Sequence, residues 1–357
     1  MRFYLWLILA TMVWSQSNWI LPSDPHIQYV GRWDLRDPQA AVADWPGVYL
    51  RVAFAGSGCQ VRLQGVGVFT PVLDGEVKPV LVVGDSVQSF EIAKDLSSEK
   101  HTLVLYKRSE NQTNTVRFLG LQLSSGAQLA EASARPVRRI EFIGDSYTVG
   151  YGMESPVREP GALNEDSLVL FTTNSYAAFG PALARSFGAE YQLNAISGRG
   201  LVRNLNGILP DKSFATYYDY TLHSARNTNH ESPRWDFASW HPQVIVIGLG
   251  INDFQANPPY ADTVAFDKAY QALLDSLRNR HPGVKFILCA TSVWPTEMLI
   301  PRVKAIVAAQ AKHQDTQYFE YGAEKTGLWW HPDVNDHQNI TRALRPMVAK
   351  AGGWLSR

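Results

Sequence analysis

The chain has 357 residues, beyond the size at which a single hydrophobic core usually stops growing, so two domains are the expected organisation. Its 33 Lys and Arg residues balance 33 Asp and Glu, which argues against a nucleic-acid or anionic-membrane partner, since either would want a basic surplus. Hydrophobic residues at 45% and charged residues at 18% are the proportions of an ordinary globular protein, and a neutral substrate, polymeric or small, fits them best.

The first residues, MRFYLWLILATMVWSQS, carry one Arg and then an apolar run of roughly a dozen residues followed by small and polar ones. That is the layout of a signal peptide, assigned to residues 1–20. The run is too short for a membrane anchor, so a secreted or periplasmic protein without stable membrane insertion is expected. Cys59 and Cys289 stand one in each expected domain and define no disulfide framework, so both are read as buried free thiols.

From His26 to Leu123, short β-rich runs such as VYLRVAFAG, QVRLQGVGVF, HTLVLYKRSE and VRFLGLQL alternate with turn signals. No helical pattern interrupts them, so residues 26–134 are expected to form an antiparallel β-sandwich, a jelly roll. Lys107, Arg108 and Glu110 read as a solvated strand end. The pattern changes in SSGAQLAEASARPVRR, and residues 135–357 alternate apolar runs with helical ones, the signature of a parallel sheet covered by helices. RIEFIG, AEYQLNAI, QVIVIGLG, VKFILCA and QYFEYG are its strands, with Asn174 and Asp262 as helix N-caps and HQNITRALRPMVAKAGG as a closing helix.

Ligands of such sheets gather beyond the carboxyl ends of the strands, and the junctions there carry the chemistry. GDSYTVGYG follows the first strand and places Ser146 at a helix start, where its amide is free to donate. SGRG follows the second, with Gly198 at a turn where no side chain screens the backbone N–H. GLGINDF follows the third and offers the Asn252 side-chain amide. Three such donors make an oxyanion hole, each worth roughly 3 kcal/mol in the transition state. GLWWHPDVNDHQ, just before the closing helix, supplies His331 as the general base for a Ser146 nucleophile. His337 is expected to face solvent or cap that helix. Asp145 and Asp253 read as turn-pinning acceptors of backbone N–H groups. Trp294, after the fourth strand, is either a stacking platform for a sugar or a core residue, and Trp329 and Trp330 flank the base. There is no His/Cys cluster at ligand spacing and no GxxxxGK loop, so neither a metal nor a cofactor is expected.

In this order GDS, a glycine turn, GxND and a late His before Pro resemble the SGNH (GDSL-type) hydrolases. RRIEFIGDSYTVGYG, SGRGLVRN, WHPDVNDHQ and KHTLVLYKRSE are similar to carbohydrate esterase family 2 in particular, whose members carry a jelly roll before the SGNH domain. The resemblance spans nearly all of the chain after the signal peptide. It implies a flavodoxin-like three-layer α/β/α hydrolase domain and a monomeric serine O-deacetylase acting on acetylated plant polysaccharides or oligosaccharides, such as xylan or mannan. One departure from the wider pattern stands out. Where many SGNH enzymes place an Asp shortly before the catalytic His, this chain has Leu328 and Trp329. Some family 2 members use a main-chain carbonyl there, which makes a Ser146–His331 dyad the first reading; Asp333 or Asp336 orienting His331 is the second. Two rival functions are an SGNH lipase or lysophospholipase, and a carbohydrate-binding protein that has lost turnover.

Overall fold

The computed structural model describes residues 19–228 and 231–354. The expected signal peptide lies almost wholly outside these residues.

Among the described residues the first half is built from strands alone, joined in two antiparallel sheets. One sheet runs Gln28–Val30, Tyr49–Ala55, Lys100–Lys107, Gly67–Leu73 and Glu76–Val77, with Gln128–Ala130 also on the second of these and Leu81–Val83 on the fourth. The other runs Asp34–Asp37, Ala40–Ala43, Val116–Leu123, Cys59–Gln64 and Gln88–Ala93. Strand Cys59–Gln64 shows why the sequence folds this way: Cys59, Val61 and Leu63 are buried while Gln60, Arg62 and Gln64 are not, the period-2 alternation of a sheet with one face in a core.

The second half holds five parallel strands, Arg139–Gly144, Glu190–Ala195, Val244–Gly248, Lys285–Ala290 and Thr316–Glu320. Their spatial order is second, first, third, fourth, fifth, the flavodoxin-like arrangement. Right-handed crossovers put the helix leading left on one face and those leading right on the other. Accordingly Phe179–Ser186 packs with the closing helix Val334–Ala351, and Thr263–Arg280 packs with Leu299–Ala309. Register matters most for function: Gly144 lies opposite both Ala195 and Gly248, so the first three strands end at one level. Among the described residues no helix is long and apolar enough to cross a membrane.

Several expectations are corrected. Asn174 does not cap the helix it precedes, which starts at Phe179 after Ala178; its Oδ1 instead accepts the Ala177 N–H at 3.1 Å in the turn before it. Asp262 does cap, accepting from Ala265 N–H at 2.8 Å. The helix Glu165–Thr172 was not expected; none of its residues is buried, so it leaves no apolar period to read. Lys107 and Arg108 are not a solvated strand end but are buried where the two halves meet. The Lys107 ammonium donates to the carbonyls of Asp44 and Ser109 at 3.0 and 2.6 Å, and burial pulls its pKa down to about 7. Arg108 reaches across to the Thr173 carbonyl at 3.2 Å and pairs with Glu154. Cys59 and Cys289 are buried and unpaired.

Candidate active site

Three strands ending at one level bring three junctions to one edge. Asp145 caps the short helix Ser146–Val149, its Oδ1 accepting the Tyr147 N–H at 3.1 Å, and Ser146 occupies the first turn. The Ser146 N–H has no intrahelical partner there, and it donates to no other group among the described residues. Gly198 sits at φ +76°, where a Cβ built on it would have only Leu205 at 3.9 Å for a neighbour, and its N–H likewise has no hydrogen-bond partner among the described residues.

Asn252 lies buried in the helix Ile251–Phe254. Its Nδ2 donates to the Arg199 carbonyl at 2.9 Å and makes a longer contact to Asp145 Oδ2 at 3.4 Å. That ties the Asn252 amide to both neighbouring junctions. Asp253 ties them further: its carboxylate accepts the N–H groups of Leu201, Val202 and Arg203 at 2.9, 2.8 and 2.9 Å. Both aspartates therefore pin turns. Burial, together with the nearby Asp253 charge, raises the Asp145 carboxyl to about 8.

His331 Nε2 stands 2.8 Å from Ser146 Oγ, across 185 residues of sequence. Its Nδ1 stands 2.7 Å from the Leu328 carbonyl oxygen. A carbonyl only accepts, so Nδ1 carries the proton and Nε2 presents its lone pair to the serine hydroxyl. Burial lowers the His331 pKa to about 4, which keeps the ring neutral at neutral pH. Tyr151 and Tyr147 flank the imidazole, with ring centroids 4.7 and 5.6 Å away.

The Leu328 carbonyl is aimed by an unusual backbone. Trp329 and Trp330 both have positive φ, 50° and 56°, a left-handed conformation that costs non-glycine residues of order 1 kcal/mol or more each. The turn is held by Gly327 N–H on the His331 carbonyl (2.9 Å), Trp329 N–H on the Arg158 carbonyl (2.7 Å) and Trp329 Nε1–H on Glu165 (2.8 Å). Beneath it Gly152 has φ +56°, and a Cβ there would stand 2.6 Å from Leu328 Cβ. Only glycine lets Leu328 approach this closely.

Asp333 does not orient His331. Its carboxylate caps the closing helix, accepting Asp336 N–H at 2.9 Å and the Thr326 hydroxyl at 2.6 Å, and Asp336 returns the bond to Asp333 N–H as a capping box. Asp336 also accepts from the Glu324 and Lys325 amides, so it too is engaged away from the imidazole. His337 is a second correction: it is buried, stacks on Phe179 at 5.9 Å, and accepts the Phe179 N–H through Nδ1 at 3.1 Å.

Trp294 is 82% exposed and Trp330 48%, so neither is a core residue. The Trp294 carbonyl accepts the Ala256 N–H at 3.2 Å, which ties its loop to the one after the third strand. Glu110, Gln112, Tyr151 and Gly152 are the neighbours of the site that sequence reasoning missed. KHTLVLYKRSE carried the family resemblance but assigned no role to Glu110, which read as part of a solvated strand end, and only the proximity of Tyr151 and Gly152 to GDS marked them. Among the described residues no group of three or more His, Cys, Asp or Glu side chains comes together as a metal site.

A neutral imidazole on a serine hydroxyl, beside unpaired amides at a strand–helix junction, equips this edge for acyl transfer. Comparison with known proteins agrees. Residues 142–344 match the GDSL-like lipase/acylhydrolase family, and residues 29–132 match the carbohydrate esterase 2 N-terminal domain. The chain is 35% identical over 332 residues, 89% of its length and 88% of the relative's, to an acetylxylan esterase / glucomannan deacetylase of Cellvibrio japonicus. It is 32% identical to the cellulase/esterase CelE of Acetivibrio thermocellus, covering 93% of this chain and 40% of that longer protein. A solved family two carbohydrate esterase from Clostridium thermocellum, in complex with cellohexaose, superposes with a TM-score of 0.83 at 30% identity, covering 92% of this chain and all of that one. The protein is thus an SGNH-type esterase. Within that class it belongs to carbohydrate esterase family 2.

Proposed function

We propose that this protein is a carbohydrate O-deacetylase that removes acetyl groups from plant polysaccharides or oligosaccharides, acetylated xylan and glucomannan foremost, by a two-step acyl transfer. The observation that carries it is the relay from Leu328 carbonyl through His331 to Ser146 Oγ, 2.7 and 2.8 Å long. His331 Nε2 takes the Ser146 proton as Oγ attacks the acetyl carbonyl. The tetrahedral oxyanion is held by the amides of Ser146 and Gly198 and by Asn252, which gives up its long 3.4 Å contact with Asp145 to donate that N–H to the oxyanion. As the intermediate collapses, His331 returns the proton to the departing sugar oxygen. Water, deprotonated by the same imidazole, then cleaves the acetyl-enzyme and releases acetate. The exposed rings of Trp294 and Trp330 supply flat apolar faces on which pyranose rings stack.

The names of the similar proteins support the substrate class, and the apolar N-terminal run supports a secreted or periplasmic location. Acetate release from acetylated xylan, acetylated glucomannan, 4-nitrophenyl acetate and 4-nitrophenyl octanoate tests the reading. Turnover of the polymers and the acetyl ester, lost in Ser146→Ala, is expected. Preference for the octanoyl ester with no release from either polymer overturns it.

A further inference from the structure

The backbone around Gly198 forms a turn whose central peptide has two available orientations. Arg199 N–H bonds back to the Ile196 carbonyl at 3.3 Å, and Gly198 stands third in that four-residue turn with φ +76°. A positive φ at the third position is the mark of a type II turn; rotating the Ser197–Gly198 peptide by about half a revolution gives the type I turn with the same ends. In a trans peptide the C=O and N–H point opposite ways, so that rotation would carry the Gly198 N–H from one side of the turn to the other. Glycine, free of a Cβ, resists neither state.

Groups from the other half of the molecule hold the turn. Glu110 Oε1 accepts the Ser197 N–H at 2.7 Å. Gln112 Nε2 donates to the Ser197 carbonyl at 3.1 Å, the carbonyl of the very peptide whose N–H belongs to Gly198. Gln112 is itself braced: its side chain donates to Glu110 at 3.3 Å and accepts from Arg199 at 3.3 Å, and its backbone carbonyl accepts from Asn227 Nδ2 at 2.8 Å. Glu110 and Gln112 follow the strand Lys100–Lys107 of the antiparallel half, 87 and 85 residues from Ser197.

We infer that Glu110 and Gln112 are positioning residues that lock the Ser197–Gly198 peptide in the orientation that offers the Gly198 N–H to the oxyanion. This rests on the acyl-transfer reading above. The β-sandwich is then part of the catalytic apparatus, since without its Glu110–Gln112 segment the donor swings between two orientations.

The test compares full-length wild type with Glu110→Ala, Glu110→Gln, Gln112→Ala and Ser146→Ala on 4-nitrophenyl acetate, with thermal midpoints measured alongside. A missing oxyanion donor costs about 100- to 1,000-fold in kcat, and a donor present part of the time costs less. Glu110→Ala and Gln112→Ala are therefore expected to lower kcat about 10- to 100-fold with KM changed less than about threefold. Their affinity for phenylboronic acid, which forms a tetrahedral adduct on the serine, falls by the same factor. Glu110→Gln keeps an acceptor oxygen and is expected to restore kcat to within a few-fold of wild type. If Glu110→Ala fails to fold, Glu110→Asp, one methylene short of the Ser197 N–H, carries the same expectation. Wild-type kcat and boronate affinity in Gln112→Ala and in whichever Glu110 variant folds overturn the inference while leaving Ser146 chemistry intact. Activity persisting in Ser146→Ala overturns the acyl-transfer reading and this inference with it.

Discussion

The Leu328 carbonyl oxygen lies 2.7 Å from His331 Nδ1, in the place that a carboxylate fills in triads. A carbonyl fixes the tautomer and the ring plane as an aspartate does, but it brings no full negative charge to stabilise the imidazolium. The dyad should therefore show it in its pH dependence. With no anion to raise it and burial pushing it down to about 4, His331 is neutral, and competent as a base, above that pH. Its competence is lost as pH falls through the folded-state pKa. The acid limb of kcat/KM is expected near pH 4, dropping about tenfold per unit below it; a limb between pH 6 and 7 contradicts this account.

Asp333 separates helix capping from base orientation. Asp333→Ala removes the acceptor for Asp336 N–H and for the Thr326 hydroxyl, and should cost about 1 kcal/mol of stability, read from a denaturant melt. Because the carboxylate touches neither ring nitrogen of His331, kcat should remain that of wild type. A fall of orders of magnitude in kcat would mean that the carboxylate orients the base after all.

Gly152 supports the Leu328 carbonyl from below. Gly152→Ala places a methyl 2.6 Å from Leu328 Cβ at φ +56°. The overlap displaces the carbonyl from His331 and should destabilise the protein by about 1–3 kcal/mol. Activity at 25 °C is expected to fall about tenfold or more, since geometry this close to the reacting atoms is worth up to about 100-fold per ångström. Steady-state kinetics beside a melting curve checks both.

Trp294→Ala and Trp330→Ala should raise KM for the acetylated polymer, each by about 1 kcal/mol of lost stacking, and should raise it less for 4-nitrophenyl acetate, which has no sugar to stack. Equal changes for polymer and small ester would remove the tryptophans from sugar recognition.

The order of GDS, SGRG, GIND and a late His-Pro was legible because each motif is local to one strand end, and the parallel sheet assembles strand ends at one edge. The alternation in strands such as Cys59–Gln64 was legible for the same reason. Residues whose surroundings come from distant sequence were not. Lys107 and Arg108 carry the charge pattern of a surface and are buried because Asp44, Ser109, Thr173 and Glu154 answer their donors. His337 looked solvated because the helix Phe179–Ser186, which covers it, lies over 150 residues upstream. Trp329 and Trp330 read only as flanking the base, and their left-handed backbone, which aims the Leu328 carbonyl, leaves no trace in residue type.

The most direct test of the account is to trap the acyl-enzyme. Wild type and His331→Ala, each mixed with 4-nitrophenyl acetate and acid-quenched, are digested and examined by mass spectrometry. The account predicts an acetyl group on the peptide carrying Ser146 in the wild type, formed far more slowly in His331→Ala and absent from Ser146→Ala. A folded Ser146→Ala that still releases acetate at the wild-type rate, with no acetylated peptide in the wild type, would contradict it.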